Sequence, residues 1–414
     1  MDARRAVEQA ARDSRARLLA FLAARSRDVA AAEDALADAF AAALATWPDN
    51  GVPARPEAWL LTAARRKLID AARHAQVHDA ALPTLRAVAE EAEDMAATDM
   101  IFPDERLKLL FVCAHPAIDA GARTPLMLQT VLGLDAARIA SAFLVRPTAM
   151  GQRLTRAKAK IRDAGIGFAL PGAAGLAPRL AFVLAAVYAA YGTGWDDVTG
   201  ADPRRRGLAE EAIQLGRLLL HLLPGEPEVA GLLALMLHCE ARRPARRSAA
   251  GDYVPLTEQD TALWSRPLIA EADNLLAAAG RAGRHGRFQL EAAIQSVHAR
   301  RAAIGRTDWE AVALLYEGLI RLAPTTGALV GRAAALAEAR GAQVGWALLQ
   351  AIPPAAVATY QPYWAVAAHL LAGLGRPESV AAYDRAIGLC EDPAARAFLL
   401  RQRGRPVAPP RPLG

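Results

Sequence analysis

Residues 134–162 read as two amphipathic segments separated by Val145-Arg146-Pro147, and a pair of short crossed helices satisfies that pattern. Asp135 can accept a hydrogen bond from the free amides at a helix start, and Ile139 and Phe143 then fall one turn apart on one face. Pro147 lacks a backbone donor and biases Arg146 away from helical dihedrals, so the first segment ends there. Thr148 is placed to cap the second helix. Met150, Leu154, Ala157 and Ile161 follow at i, i+4, i+7 and i+11, one apolar stripe that docks on the first helix. This is helix-turn-helix spacing.

Burying that stripe turns Gln152, Arg153, Arg156 and Lys160 outward. Such a face can enter a major groove, where Arg pairs with guanine edges and Gln with adenine edges, while Lys158, Lys160 and Arg162 neutralise phosphates. Phosphate contacts supply affinity and the first turns supply sequence reading. A basic solvated helix face would carry the same charges, and the turn spacing is what favours the groove. The whole chain carries 49 Lys and Arg against 43 Asp and Glu, a net charge of +6. That mild excess permits a polyanionic partner without requiring one.

The rest of the sequence points to helix as well. Of its 414 residues 53% are apolar, Ala and Leu dominate, and β-branched runs are nearly absent, so an all-α chain of several domains is expected. Cys113, Cys239 and Cys390 are too widely spaced for a disulfide framework or a paired-thiol metal site, which fits a reducing cytoplasm. Met1-Asp2-Ala3-Arg4-Arg5 leads into an amphipathic helix without an apolar core or cleavage site. The longest apolar stretches, around 180–191 and 231–237, fall short of the ~20 residues that span a bilayer. Neither secretion nor membrane anchoring is expected.

Pro/Gly breaks and acidic runs divide the chain into four parts. Residues 1–75 form a first helical unit. Residues 76–102, with Glu90, Glu91, Glu93, Asp94 and Asp99, read as an acidic linker. Residues 103–171 form a second compact unit closed by Pro171-Gly172-Ala173-Ala174-Gly175, and 172–414 form a long helical array. Within the array Tyr316, Ile320 and Leu322 recur as Tyr383, Ile387 and Leu389, a spacing of about two 34-residue tetratricopeptide periods.

The helix-turn-helix is joined by two further segments in resembling the sigma factors of bacterial RNA polymerase, of the extracytoplasmic-function type. Residues 32–44, carrying Asp34 and Asp38 on one face and Leu36, Phe40 and Leu44 on a line expected to be buried, resemble the first helix of sigma region 2. Residues 47–56, a loop rich in breakers, and the helix after it resemble the elements with which these factors melt and hold the −10 element. The resemblance implies that Asp34 and Asp38 meet the polymerase clamp, and that Asp49, Asn50, Arg55, Arg65, Arg66, Lys67 and Arg73 line the −10 strand. Arg66 stands where the family usually has Asn, which puts the −10 preference of this chain in question.

The helix-turn-helix becomes region 4 in this comparison, with Thr148, Gln152, Arg153, Arg156, Lys158 and Lys160 on −35 DNA. Residues 103–116 and 228–237 resemble the subgroup with a C-terminal tetratricopeptide-like extension. The implied partners are core RNA polymerase and promoter DNA, with intramolecular contact between the extension and the sigma domains. A free-standing helix-turn-helix regulator with a helical sensor domain is the alternative, but it has no use for the acidic helix and loop of the first unit.

Other constellations carry less. Trp59, among Leu60, Leu61 and Leu68, reads as a core residue despite its place in a DNA-melting segment. Cys113 and His115, and His238 with Cys239, cannot complete a tetrahedral metal site and read as buried thiols and structural imidazoles. Arg242-Arg243-Pro244-Ala245-Arg246-Arg247 reads as a solvated loop, and Asp252, Tyr253, Gln259, Asp260 and Trp264 as structured connection. No nucleotide-binding or nucleophile-elbow motif occurs, so neither a cofactor nor catalysis is expected.

Overall fold

The computed structural model describes residues 3–74, 105–143, 145–195 and 208–405, so the acidic linker expected at 76–102 lies outside the described residues. Among the described residues the only β contact is an isolated bridge between Arg247 and Tyr253. Helices and their connections make up the rest, as the Ala/Leu-rich composition predicts.

The first three helices, α1 (Ala3–Ser26), α2 (Val29–Asn50) and α3 (Pro56–His74), form a bundle. Asp28 starts α2 by accepting from the Ala31 amide, after Arg27 has turned the chain at φ 56°. Gly51, at φ 83°, ends it. Thus the loop expected at 47–56 shortens to 51–55, and Pro48 lies within the last turn of α2. The buried line on α2 is also not the expected one. Leu36 is buried, but Phe40 is half-buried and Leu44 is 49% exposed. Val29, Ala32, Ala35, Leu36, Ala39, Ala43 and Trp47 face inward instead, because small side chains let α1 and α3 approach closely.

The second module contains α4 (Arg106–Cys113), α5 (Ala120–Thr130), α6 (Ala136–Ala142) and α7 (Pro147–Asp163). Asp135 caps α6 through the Arg138 amide at 2.8 Å, as its position predicts. Thr148 does not cap α7: Arg146 takes the cap position without a side-chain bond and Pro147 is the first helical residue. Proline is suited to that position because the missing N–H would be unpaired there anyway. Met150, Leu154, Ala157 and Ile161 are buried as one stripe, and α7 packs on α6.

Next come α8 (Ala173–Trp195) and α9 (Leu208–Leu222). At 23 residues, α8 exceeds the expected apolar length, and an 18-residue window of mean hydropathy 1.3 makes it long and apolar enough to cross a membrane. Its burial is one-sided: Leu180, Val183, Leu184, Val187 and Tyr191 are inside, whereas Phe182 is 39% exposed. That stripe is the pattern of a helix packed on protein.

Two compact units divide the chain. The first comprises residues 1–194 and 202–215, and the second 195–201 and 216–414, so the contacts part within α9 and not at 171–175. After the end of α9 the second unit contains α10 (Pro227–Ala241), followed by a connection of three short 3-10 turns, and continues with α11 (Arg266–Arg281), α12 (Arg287–Ala299), α13 (Arg301–Ile304) and α14 (Trp309–Leu322). It ends with α15 (Thr326–Arg340), α16 (Ala342–Gln350), α17 (Pro354–Val357), α18 (Gln361–Gly373), α19 (Ser379–Gly388) and α20 (Pro393–Arg403). The longer helices pack on their neighbours in sequence, α10 on α11, α14 on α15, α15 on α16 and α18 on α19. Tyr316 and Tyr383, the repeated positions, stand on α14 and α19. The 242–265 connection packs on the last helix, with Tyr253 edge-on to Phe398 and Arg247 ion-paired to Asp392, the cap of α20.

Candidate nucleic-acid interface

The burial of its stripe rotates α7 so that Thr148, Gln152, Arg156 and Lys160 are exposed. Arg156 lies back along the helix, with Nε donating to the Gln152 carbonyl at 3.3 Å. Arg153 is half-buried and donates to the Gly121 carbonyl at 3.3 Å, tying α7 to the first turn of α5. Between these helices lies an open cleft of about 490 Å³, lined by Ile118, Asp119, Ala122, Arg153, Arg156 and Lys160. Three cations against the single carboxylate of Asp119 leave the cleft with a positive lining, as phosphate-backbone binding requires.

Lys158, expected on the same surface, faces away from it. Its ammonium pairs with the Glu33 carboxylate of α2, and the two side chains are only 12% and 13% exposed. Arg15 of α1 approaches the same carboxylate at 3.9 Å and donates to the Gln129 carbonyl at 3.3 Å. One turn beyond, Arg162 lies 3.8 Å from Asp28, the cap of α2, and 2.9 Å from Asp163. The hydrogen bond that Arg162 donates to Asp163, helped by the Asp163 and Asp28 charges, raises the already high Arg162 pKa. The cationic edge of α7 is therefore seated on the acidic first turns of α2.

On the three-helix bundle, Asp34 and Asp38 are exposed together on α2, and Lys67 of α3 reaches Asp38 at 3.5 Å. Asp49 and Asn50 are exposed at the end of α2, Arg55 in the short loop, and Arg66 and Lys67 on α3. Arg65 is set apart from them. It is 3% exposed, with its guanidinium 5.2 Å from the centre of the Phe21 ring, so it belongs to the bundle interior. The side chain of Arg73 lies outside the described residues. Trp59 is half-buried and packs on buried Trp47.

Cys113 is a buried thiol bonded to Thr130 at 3.4 Å, and burial pushes its pKa up to about 12. His115 accepts from the Ala117 amide, which makes it a turn cap. Among the described residues no cluster of His, Cys, Asp or Glu has the arrangement to hold a metal ion. Two residues that matter here had no signal in the sequence. Glu33 sits in an acidic run beside Asp34, and only the tertiary packing separates their roles. Glu211 of α9 pairs with Arg138 of α6 at 3.2 Å, and burial raises its pKa against the lowering effect of that arginine.

Residues 11–77, covering most of the α1–α3 bundle, match sigma-70 region 2. Residues 179–280 match a family of unknown function, DUF6596. The chain is 38% identical over 390 residues, 93% of its own length and 92% of the other's, to "Uncharacterized protein R00370" of Rhizobium meliloti (strain 1021). No solved structure matches. The α1–α3 bundle is the part of the chain to which the sigma-70 match applies. The chain thus carries a sigma-70 region 2 domain at residues 11–77, and it belongs to one family with the Rhizobium meliloti protein along almost its whole length.

Proposed function

We propose that this chain is a cytoplasmic sigma factor of the extracytoplasmic-function type, which gives core RNA polymerase its promoter specificity. The sigma-70 region 2 match is the observation that carries the reading, because it falls on the bundle that exposes Asp34, Asp38, Arg66 and Lys67. In this reading Asp34 and Asp38 contact the polymerase clamp. Asp49, Asn50, Arg55, Arg66 and Lys67 form the −10 surface, with Arg73 continuing it, and Arg65 supports that surface from inside. Gln152, Arg153, Arg156 and Lys160 read −35 DNA from α7, with Thr148 at its first turn. Gln can bridge an adenine edge and Arg a guanine edge, which is the chemistry such a helix needs.

The helices after 171 act as a tetratricopeptide-like regulatory extension. Two contacts of the first unit support a link to the helix-turn-helix: the Arg138–Glu211 pair, and Arg123, whose guanidinium lies 4.6 Å over the Phe182 ring. Run-off transcription with core polymerase tests the reading. The full chain should direct polymerase to discrete start sites, and a chain that neither binds core polymerase nor selects any start site would refute it.

A further inference from the structure

The second unit is assembled from near neighbours. Among the described residues, its helices pack extensively only on helices three places away or fewer along the chain. Such an array is held end to end through successive interfaces, and its last helix has a neighbour on one side alone. The 242–265 connection breaks that rule. It leaves the end of α10 and lies against α20, the final helix.

The connection is a formed body before it reaches α20. Ser265 donates to the Ala241 carbonyl at 2.9 Å, which joins its two ends. Val254 donates to the Arg246 carbonyl at 3.0 Å and Ser248 to the Asp252 carbonyl at 2.9 Å, so residues 246–254 close into a hairpin-like turn around the Arg247–Tyr253 bridge. Gly251, at φ 84°, supplies the left-handed residue that this turn needs. At its base Arg301 of α13 donates to the Thr257 and Gln259 carbonyls, and its guanidinium lies 5.1 Å from the centre of the Trp264 ring.

Three contacts join this body to α20. Arg247 pairs with Asp392, Tyr253 meets Phe398 with ring centroids 5.4 Å apart, and Asp252 meets Arg401 at 3.1 Å. Asp392 has two tasks. Its Oδ1 accepts from the Ala394 and Ala395 amides and caps α20, while its Oδ2 takes Arg247. The carboxylate that starts the last helix is therefore also the one that the connection grips.

We propose that residues 242–265 form a releasable strap: docked, it closes the second unit from α10 to α20, and undocked, it lets α20 leave the array. This goes beyond the sigma reading and does not depend on it. Arg247 shows why the strap can let go. Its side chain is 11% exposed, yet Nε and Nη1 have no hydrogen-bond partner, because Asp392 has only one oxygen to give it. Buried N–H groups left unmet are costly, and water recovers that cost once the strap lifts. The Asp252–Arg401 pair is half exposed and holds weakly. Tyr253 on Phe398 opposes release, so gains and losses at the contact nearly offset each other. The hydrogen bonds of the strap lie within it and at its base, so it can undock without unravelling. Any molecule that binds only the undocked strap or the freed α20 would shift the unit toward the open form.

Amide hydrogen exchange in the full chain tests this. With Arg247→Gln and Asp252→Asn combined, α20 amides should exchange at least tenfold faster than in the unaltered chain, and α18 amides within twofold of it. Asp252→Asn alone, at a half-exposed position, should speed α20 by about two- to fourfold. Arg340→Gln breaks a similarly exposed pair with Glu310 outside the strap and should leave α20 within twofold. Phe398→Ala removes the contact from the α20 side, and the Val254 amide, bonded inside the strap, should then keep its protection within threefold.

If α20 exchanges no faster in the double variant, the strap does not hold it and the proposal is overturned. Equal acceleration of α18 and α20 overturns it too, since the connection would then be one part of a single cooperative fold. Loss of Val254 protection in Phe398→Ala would mean that the connection unravels when its contact is lost, which also rules out a strap that undocks whole.

Discussion

The indole rings of Trp47 and Trp59 meet edge to face, their centroids 5.5 Å apart at an interplanar angle of 72°. Trp47 lies in the last turn of α2 and Trp59 in the first turn of α3, so the pair pins both sides of the 51–55 loop that carries Arg55 of the proposed −10 surface. Trp47 is 2% exposed and Trp59 half-buried. Trp47→Ala should cost about 3–5 kcal/mol of bundle stability, the range for a buried large aromatic. Trp59→Ala should cost less and act mainly on the loop. Urea titration followed by far-ultraviolet dichroism measures the first, and opening of −10 DNA at a fixed promoter the second. Equal stability losses would show that the loop is not separately positioned.

How much of this was legible in the sequence depended on whether local chemistry or tertiary packing decided each position. Asp135 and the Met150-to-Ile161 stripe were readable because a cap and a helical period are local. The buried face of α2 was misread because Leu36, Phe40 and Leu44 look like the apolar line, whereas the close neighbours α1 and α3 select the alanine side. Lys158 stands about 120° round the helix from Gln152, at the flank of the buried stripe, and that flank is where Glu33 of α2 meets it. Likewise, Arg65 and Arg66 are adjacent in sequence, yet one faces Phe21 and the other solvent.

The exposed α7 face makes a graded prediction. Gln152→Ala and Arg156→Ala should each weaken −35 binding by roughly 1–3 kcal/mol if they touch base edges, and should relax specificity at one base pair. Lys160→Ala should weaken all sequences alike and reduce the slope of log K against log salt by about 1. Arg153 has a second role, its bond to the Gly121 carbonyl, so Arg153→Ala should lower thermal stability as well as DNA affinity. Fluorescence anisotropy across a salt series separates these cases, and identical salt slopes for Gln152→Ala and Lys160→Ala would show that both residues play the same role.

His298 should make the second unit sensitive to acid. Burial, reinforced by the charges of Arg242 and Arg301, pushes its imidazole down to about 4, and its ring packs on Trp309 at 5.3 Å. The unfolded imidazole titrates near 6.5, so between pH 6.5 and 4 the unfolded chain takes up the proton and the folded one does not. The contribution is thus complete above about pH 6.5, declines as pH falls, and levels off below about 4, a loss of roughly 3 kcal/mol at most. Burial lowers the pKa of His238 in the same direction, opposed by Asp273. Amide exchange in α12, corrected for the intrinsic pH dependence of exchange, should show protection falling across this window. His298→Gln should flatten the profile, and an unchanged slope in that variant would remove His298 as its source.

Gly231 offers a steric test of how the second unit is assembled. It lies on α10, where a Cβ would stand 2.7 Å from the Gln289 backbone nitrogen of α12. The obstacle is main chain, which no rotamer change can clear, so α10 and α12 would have to move apart. Glu228, one turn earlier on α10, receives the Phe288 and Gln289 amides at 3.0 and 3.1 Å and thereby satisfies the start of α12. A shift that makes room for a methyl group at 231 would also stretch those two bonds. Gly231→Ala should therefore destabilise the second unit by roughly 1–3 kcal/mol, despite alanine's better helix propensity. Gly280→Ala, on α11 with open space around its Cβ, should be neutral or stabilising by about 0.5–1 kcal/mol. Thermal unfolding of the two variants in the full chain compares them directly, and the reverse order of midpoints would mean that α10 and α12 do not approach as closely as the Gln289 amide requires.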